Sequence, residues 1–110
     1  MKAPFEELAT LDRLIHEPAR LALLTALASC ESADFLYLQR LTGLSKGNLS
    51  SHLSKLEEAE LVTVEKQFKG KTPLTRIAVT EKGREAVEQH WRQLEQLRGK
   101  ARRWVPRGTE

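Results

Sequence analysis

Apolar residues recur along this chain with two periods, and the change of period divides it. Phe5, Leu8, Leu11 and Ile15 stand three or four apart, which predicts a first helix over residues 5–15. "HEP" at 16–18 interrupts it, because proline drives Glu17 out of helical geometry and itself suits the first turn of a new helix. "ARLALLTALAS" then predicts a strongly apolar helix at the centre of the core. Asp34 can cap a short helix from Phe35 to Leu41, Gly43 can end it, and Ser45 can cap the next. Two helices joined by so short a glycine-containing turn have the form of a helix-turn-helix. After residue 61 the period becomes two. "LVTVEKQF" and "LTRIAVT" alternate and are rich in β-branched residues, which predicts a hairpin with "KGKTP" at its tip. Thr80 can cap a last helix through "EKGREAVEQHWRQLEQLR".

Four helices, a hairpin and a helix, in that order, predict a winged helix-turn-helix: mainly α with a small β-hairpin, an α+β fold. The chain has 110 residues and no internal repeat, so one domain over 1–110 is expected. Its winged-helix core spans 14–80, and a C-terminal helix and basic tail follow at 81–105.

The helix at 46–59 is built from weak helix formers on one face only. Leu49, Leu53 and Leu56 cluster within about 60° at the 3.6-residue repeat. Gly47, Ser51, Ser54 and Glu58 lie opposite, with Asn48 and Lys55 on one flank and Ser50 on the other. Each Gly costs a helix about 1 kcal/mol against Ala, and Ser and Asn some tenths. A face meant only for solvation would carry long Glu and Lys side chains. Short side chains let a backbone approach closely, and Ser and Asn offer donors and acceptors to base edges in a DNA major groove. An ordinary serine-rich polar face is the plainer reading of the same residues.

Charge shifts the balance. The whole chain carries +3, but residues 1–44 carry −2, whereas 62–79 and 80–110 carry +3 each. Lys66, Lys69, Lys71 and Arg76 surround the hairpin tip, placed for the backbone or minor groove beside a helix in the major groove. A serine-rich helix and a basic wing in this order within one small domain point together to double-stranded DNA.

"GLSKGNLSSHLSKLEEAELV" and "KQFKGKTPLTRIAVTEKGREAV" resemble the winged-helix DNA-binding domains grouped near the ArsR and MarR transcriptional regulators. The resemblance covers roughly residues 14–95. It implies that the helix at 46–59 enters the major groove and that the wing at 66–76 lies on the flanking backbone or minor groove. The DNA-facing residues would be Ser45, Lys46, Gly47, Asn48, Ser50, Ser51, Ser54 and Lys55 on the helix, with Lys66, Lys69, Gly70, Lys71 and Arg76 on the wing. Relatives often carry Gly where this chain has Glu60, and Glu suits a left-handed helix end poorly. Metal-sensing relatives carry clustered Cys and His. Here Cys30 stands alone and His16, His52 and His90 are scattered, so no metal is expected.

Val87, His90, Leu94, Leu97, Ala101 and Trp104 follow alternating three- and four-residue spacing, widened by Trp91, the seam of a helix that pairs with another. With Leu8, Leu11 and Ile15 they predict N- and C-terminal dimerisation helices and a homodimer on a pseudo-palindromic site. Gly99 is expected to end the last helix early and leave "KARRWVPRGTE" as a loose basic tail. His52 reads as a packed residue with one hydrogen bond, a phosphate contact being the sharper alternative, and Cys30 reads as a small buried hydrophobe. No phosphate loop, ordered nucleophile set or carboxylate pair is present, so neither catalysis nor a cofactor is expected. The sequence leaves room for a small-molecule effector but identifies none. No secretion signal or membrane span is expected, which suggests a cytoplasmic protein. The function expected is a transcriptional regulator acting as a repressor. A rival reading, a winged helix whose outer face meets protein, fits the same residues.

Overall fold

The computed structural model describes residues 3–106. Its helices are α1 (Glu6–Ala9), α2 (Pro18–Ala28), α3 (Phe35–Thr42), α4 (Lys46–Glu58) and α5 (Glu81–Arg103). Strands β1 (Ala33–Asp34), β2 (Val62–Lys69) and β3 (Thr72–Val79) form one antiparallel sheet in the order β1-β3-β2. This is the winged-helix order, with a third strand that the sequence pattern did not predict. Two residues are too few to show alternation. Ala33 and Asp34 pair with Ile77 and Arg76, and Asp34 then accepts from the Tyr37 N–H as N-cap of α3.

The core is a leucine cluster on α2. Leu23, Leu24 and Leu27 are fully buried against Leu38 of α3, Leu49 and Leu56 of α4, and Ile77 of β3. Local chemistry sets the ends of these helices. Glu17 is extended and its carboxylate accepts from the N–H groups of Ala19 and Arg20, with Pro18 in the first turn of α2. Gly43, at φ 69°, closes α3, and Ser45 caps α4, so three residues join the two helices.

The first helix is much shorter than its periodicity suggests. It is one turn, Glu6–Ala9. The Thr10 hydroxyl donates back to the Glu6 carbonyl at 2.8 Å, and Asp12 Oδ1 accepts from the Leu14 N–H at 2.9 Å. Both are local side-chain bonds that compete with helix continuation. Leu11 and Ile15 still reach the core from this irregular segment. The hairpin differs too: the strands run through "KGKTP" and leave only Gly70 and Lys71 as the turn. Gly70 has φ 65° and Lys71 does not share the positive φ, the pattern of a type II′ hairpin. Pro73 is tolerated in β3 because β1 reaches only to Arg76 and Ile77, leaving the other edge open there. Gly99 does not stop α5, which runs on to Arg103; of the expected loose tail, residues 107–110 lie outside the described residues.

One junction ties α4, the sheet and α5 together. Glu60 adopts φ 63°, the glycine conformation, and Leu61 N–H and Glu60 N–H return to the carbonyls of Leu56 and Glu57. A left-handed non-glycine residue costs about 1 kcal/mol. The Thr80 hydroxyl offsets it by donating to the Glu60 carbonyl at 2.7 Å, while accepting from the Gly83 N–H as N-cap of α5. Gly83 is buried here, and a Cβ on it would strike the Leu61 carbonyl. Because that neighbour is backbone, Gly83→Ala should lower stability by about 1–3 kcal/mol in denaturant unfolding. Gly99→Ala, which meets only the flexible end of Arg103, should be neutral or slightly stabilising. Equal midpoints for the two variants would contradict the close approach of α5 to Leu61.

Candidate nucleic-acid interface

The outer face of α4 is the one the sequence predicts. Leu49, Leu53 and Leu56 are buried, and Ser45, Lys46, Gly47, Asn48, Ser50, Ser51, Ser54 and Lys55 are all exposed. Ser45 Oγ accepts from the Asn48 N–H at 3.2 Å, and the first turn holds no acidic residue. The positive end of the helix dipole, with Lys46 beside it, therefore faces outward without an internal anion.

β2 and β3 bring the wing alongside. Lys46, Ser50 and Ser54 of α4 line a groove of ≈ 520 Å³ whose opposite wall includes Lys66, Pro73 and Thr75. Lys69, Gly70 and Lys71 are exposed at the hairpin tip beyond it. Among the described residues, none of Lys46, Lys55, Lys66, Lys69 and Lys71 forms an ion pair. Arg76 is placed differently from the other wing cations. It stands opposite Asp34 at the base of the wing, half-buried, and donates to Ser32 Oγ at 2.8 Å. Asp34 and Glu57 add two carboxylates to the groove walls.

Sequence reasoning missed the residue that fixes α4 on the domain. Arg20 is 9% exposed, and its guanidinium donates to the carbonyls of Leu14 at 2.6 Å and Arg13 at 3.2 Å, and to His52 Nδ1 at 3.0 Å. Arginine only donates, so His52 accepts there and carries its proton on Nε2. Glu17 Oε2 lies 3.8 Å from Arg20 and 3.6 Å from His52. Burial acts to raise the Glu17 pKa. The hydrogen bonds from the Arg20 and Ala19 N–H groups, with the charge of Arg20, outweigh it and hold the carboxyl below its ordinary 4.5. The signal available was a lone arginine in an otherwise apolar helix. His52 is thus the packed, hydrogen-bonded residue of the plainer reading. Cys30 is half-buried, its Sγ turned to the Ala26 and Leu27 carbonyls at 3.6 and 3.7 Å.

The expected dimer seam is largely filled within the chain. Val87, His90 and Leu97 are buried, as are Leu11 and Ile15, because α5 packs on α2 and α1. Leu94 is half-buried, and Leu8, Trp91, Ala101 and Trp104 of that set are exposed. Trp91 Nε1 donates to Thr25 Oγ1 at 3.0 Å. His90 meets His16 of the same chain, Nε2 to Nδ1 at 3.0 Å. Among the described residues, no group of three or more His, Cys, Asp or Glu could hold a metal ion, and no helix is long and apolar enough to cross a membrane.

Burial and the neighbouring His16 lower the His90 pKa below its ordinary 6.5, with Asp12 acting in the opposite sense. The unfolded chain therefore takes up this proton more readily than the folded one. The contribution is complete above pH 6.5 and is lost as pH falls from 6.5 toward the lower folded value. Unfolding midpoints should thus fall over that window, and His90→Gln should flatten the dependence. An unchanged pH profile in His90→Gln would contradict this role.

Comparison with known proteins follows the same lines. A family model described as a winged helix DNA-binding domain matches residues 19–98. An uncharacterised protein of Methanocaldococcus jannaschii, MJ0432, is 35% identical over 86 residues, which are 77% of this chain and 92% of that one. The structure of a transcriptional regulator homologue from Pyrococcus horikoshii superposes with a TM-score of 0.79 at 26% identity, over 87% of this chain and 94% of the other. A MarR-family transcriptional regulator from Silicibacter pomeroyi shares the fold, with a TM-score of 0.63 at 16% identity over 94% of this chain and 66% of that one. The order of elements, the capped turn between α3 and α4, and the match over most of its length place this chain in the winged-helix DNA-binding domain family.

Proposed function

We propose that the chain is a sequence-specific transcriptional regulator that binds double-stranded DNA as a homodimer and represses by occupying a promoter. One observation carries the reading: Lys46, Ser50 and Ser54 of α4 stand across one groove from Lys66 of the wing, with Lys69 and Lys71 exposed at the hairpin tip beyond it. In this reading α4 enters the major groove, where Ser50, Ser51, Ser54 and Asn48 meet base edges and Lys46 and Lys55 meet phosphates. Lys66, Lys69 and Lys71 hold the flanking backbone. Arg76, tied to Ser32, supports the wing from its base.

Shape supports the dimer. The chain extends 68 × 26 × 21 Å with a radius of gyration of 17.6 Å, against about 13 Å for a compact domain of its length. Phe5, Leu8, Trp91, Trp104 and Val105 remain exposed along α5 and the N-terminal segment. These, rather than Val87, His90 and Leu97, are the apolar residues left for a second copy. A polar cavity of ≈ 710 Å³ beside His90, lined by Glu7, Asp12, Gln89 and Gln93 among others, offers room for an effector. A regulator of this kind would act in the cytoplasm. The exposed Leu36, Tyr37 and Leu41 of α3 favour the rival reading, a protein-interaction module without specific DNA binding.

Selection of genomic DNA by the purified protein, followed by salt titration on the enriched site, decides between them. The expected result is a two-fold symmetric motif, half-sites about 34 Å apart or a multiple of that, and a steep salt dependence. Weak, sequence-blind binding would overturn the regulator reading. Ser51→Glu should abolish specific binding with the unfolding midpoint unchanged, since it sets a carboxylate against phosphates; retained binding would remove this face from the groove. Lys69→Ala and Lys71→Ala should each reduce the log–log salt slope by about 1. An unchanged slope would take the wing off the phosphates.

A further inference from the structure

The two faces of the wing differ in a way that its lysines do not explain. Directly paired residues of an antiparallel ladder project to one side, and the side alternates along each strand. The register therefore sets Val62, Val64, Lys66 and Phe68 on one face with Val79, Ile77, Thr75 and Pro73. At the base this face is core: Val62 is 2% exposed and Ile77 0%. Toward the tip it runs out beyond the domain and ends on an apolar pair, Phe68 opposite Pro73. Phe68 is 74% exposed. The opposite face of β2 carries Thr63, Glu65, Gln67 and Lys69. Phe68 is therefore no stray side chain on the solvent side. It is the outer end of the core face, on the side where Pro73 and Lys66 wall the groove shared with α4.

Its surroundings specify the occupant. Lys66 lies two residues away on the same face, Lys69 is the last strand residue before the two-residue turn, and Lys71 lies in the turn. An apolar tip among three unpaired ammonium groups complements a surface with anionic rims and a less polar floor. The DNA minor groove is such a surface, with phosphates on both sides of sugar and base edges, and apolar side chains enter it as wedges at easily unstacked steps. We infer that Phe68, backed by Pro73, is a specificity-determining contact of the wing, packing into the minor groove beside the sequence read by α4. Lys66, Lys69 and Lys71 hold the phosphate rims around it. The inference rests on the DNA-binding reading above and adds a residue that acts through apolar contact and not through charge.

Charge and apolar contact separate in a salt titration, because a phenyl ring displaces no counterions. On the selected site, Phe68→Ala should weaken binding roughly tenfold or more while leaving the salt slope and the unfolding midpoint unchanged. Lys69→Ala, run beside it, should lower the slope. Phe68→Lys should steepen the slope without restoring affinity for the selected flank. Wild-type affinity in Phe68→Ala, or recovery of full specific affinity in Phe68→Lys, would overturn this inference alone. Absence of sequence-specific binding by the unaltered protein would overturn the DNA-binding reading and this inference with it.

Discussion

The buried guanidinium of Arg20 is the point on which the arrangement of the helices depends. A buried charge must have its hydrogen-bonding capacity met, since removal from water is otherwise costly. Arg20 meets it from three directions: the carbonyls of Arg13 and Leu14, the carboxylate that caps its own helix, and the ring of His52 on α4. The irregular segment before α2, the start of α2 and the middle of α4 are thereby fixed to one another. Leucine packing alone would hold α4 against α2 but would tolerate sliding. The donor geometry of one arginine gives the contact a register.

That register explains how α4 can be both weak and well placed. Its serines, asparagine and glycine give little helix propensity, so most of its stability comes from tertiary contacts. Three buried leucines, the Ser45 cap and the bond to His52 supply them, all on the inner face or at the end. The outer face is left free of structural duty: a Cβ added at Gly47 would meet nothing. At its far end, the junction of Glu60, Leu61, Thr80 and Gly83 ties α4 to the strands and to α5, so helix and wing are held as one unit.

What could be read from the sequence was mainly local. Asp34, Gly43, Ser45 and Thr80 act on backbone groups within a few residues, and each stands where its chemistry indicated. The alternation of β2 and β3 was equally legible. The features that escaped notice depend on distant partners. Leu11 and Ile15 kept helical spacing although Thr10 and Asp12 end the helix between them. Val87, His90 and Leu97 carried the pattern of a seam, but periodicity cannot tell burial against the same chain from burial against another. Gly83 looked like a poor residue in a helix, and only the approach of the Leu61 carbonyl gives its reason. Phe68 alternated like a core residue, and its exposure follows from the hairpin outrunning the domain.

In the proposed function, α4 and the wing together form the surface that meets DNA. Amide chemical-shift mapping of the isotopically labelled protein, titrated with its selected duplex, tests it most directly. The largest changes should fall on residues 45–55 and 66–71, with α3 and the outer side of α5 little affected. Changes centred on Leu36, Tyr37 and Leu41, with α4 and the wing unmoved, would contradict it.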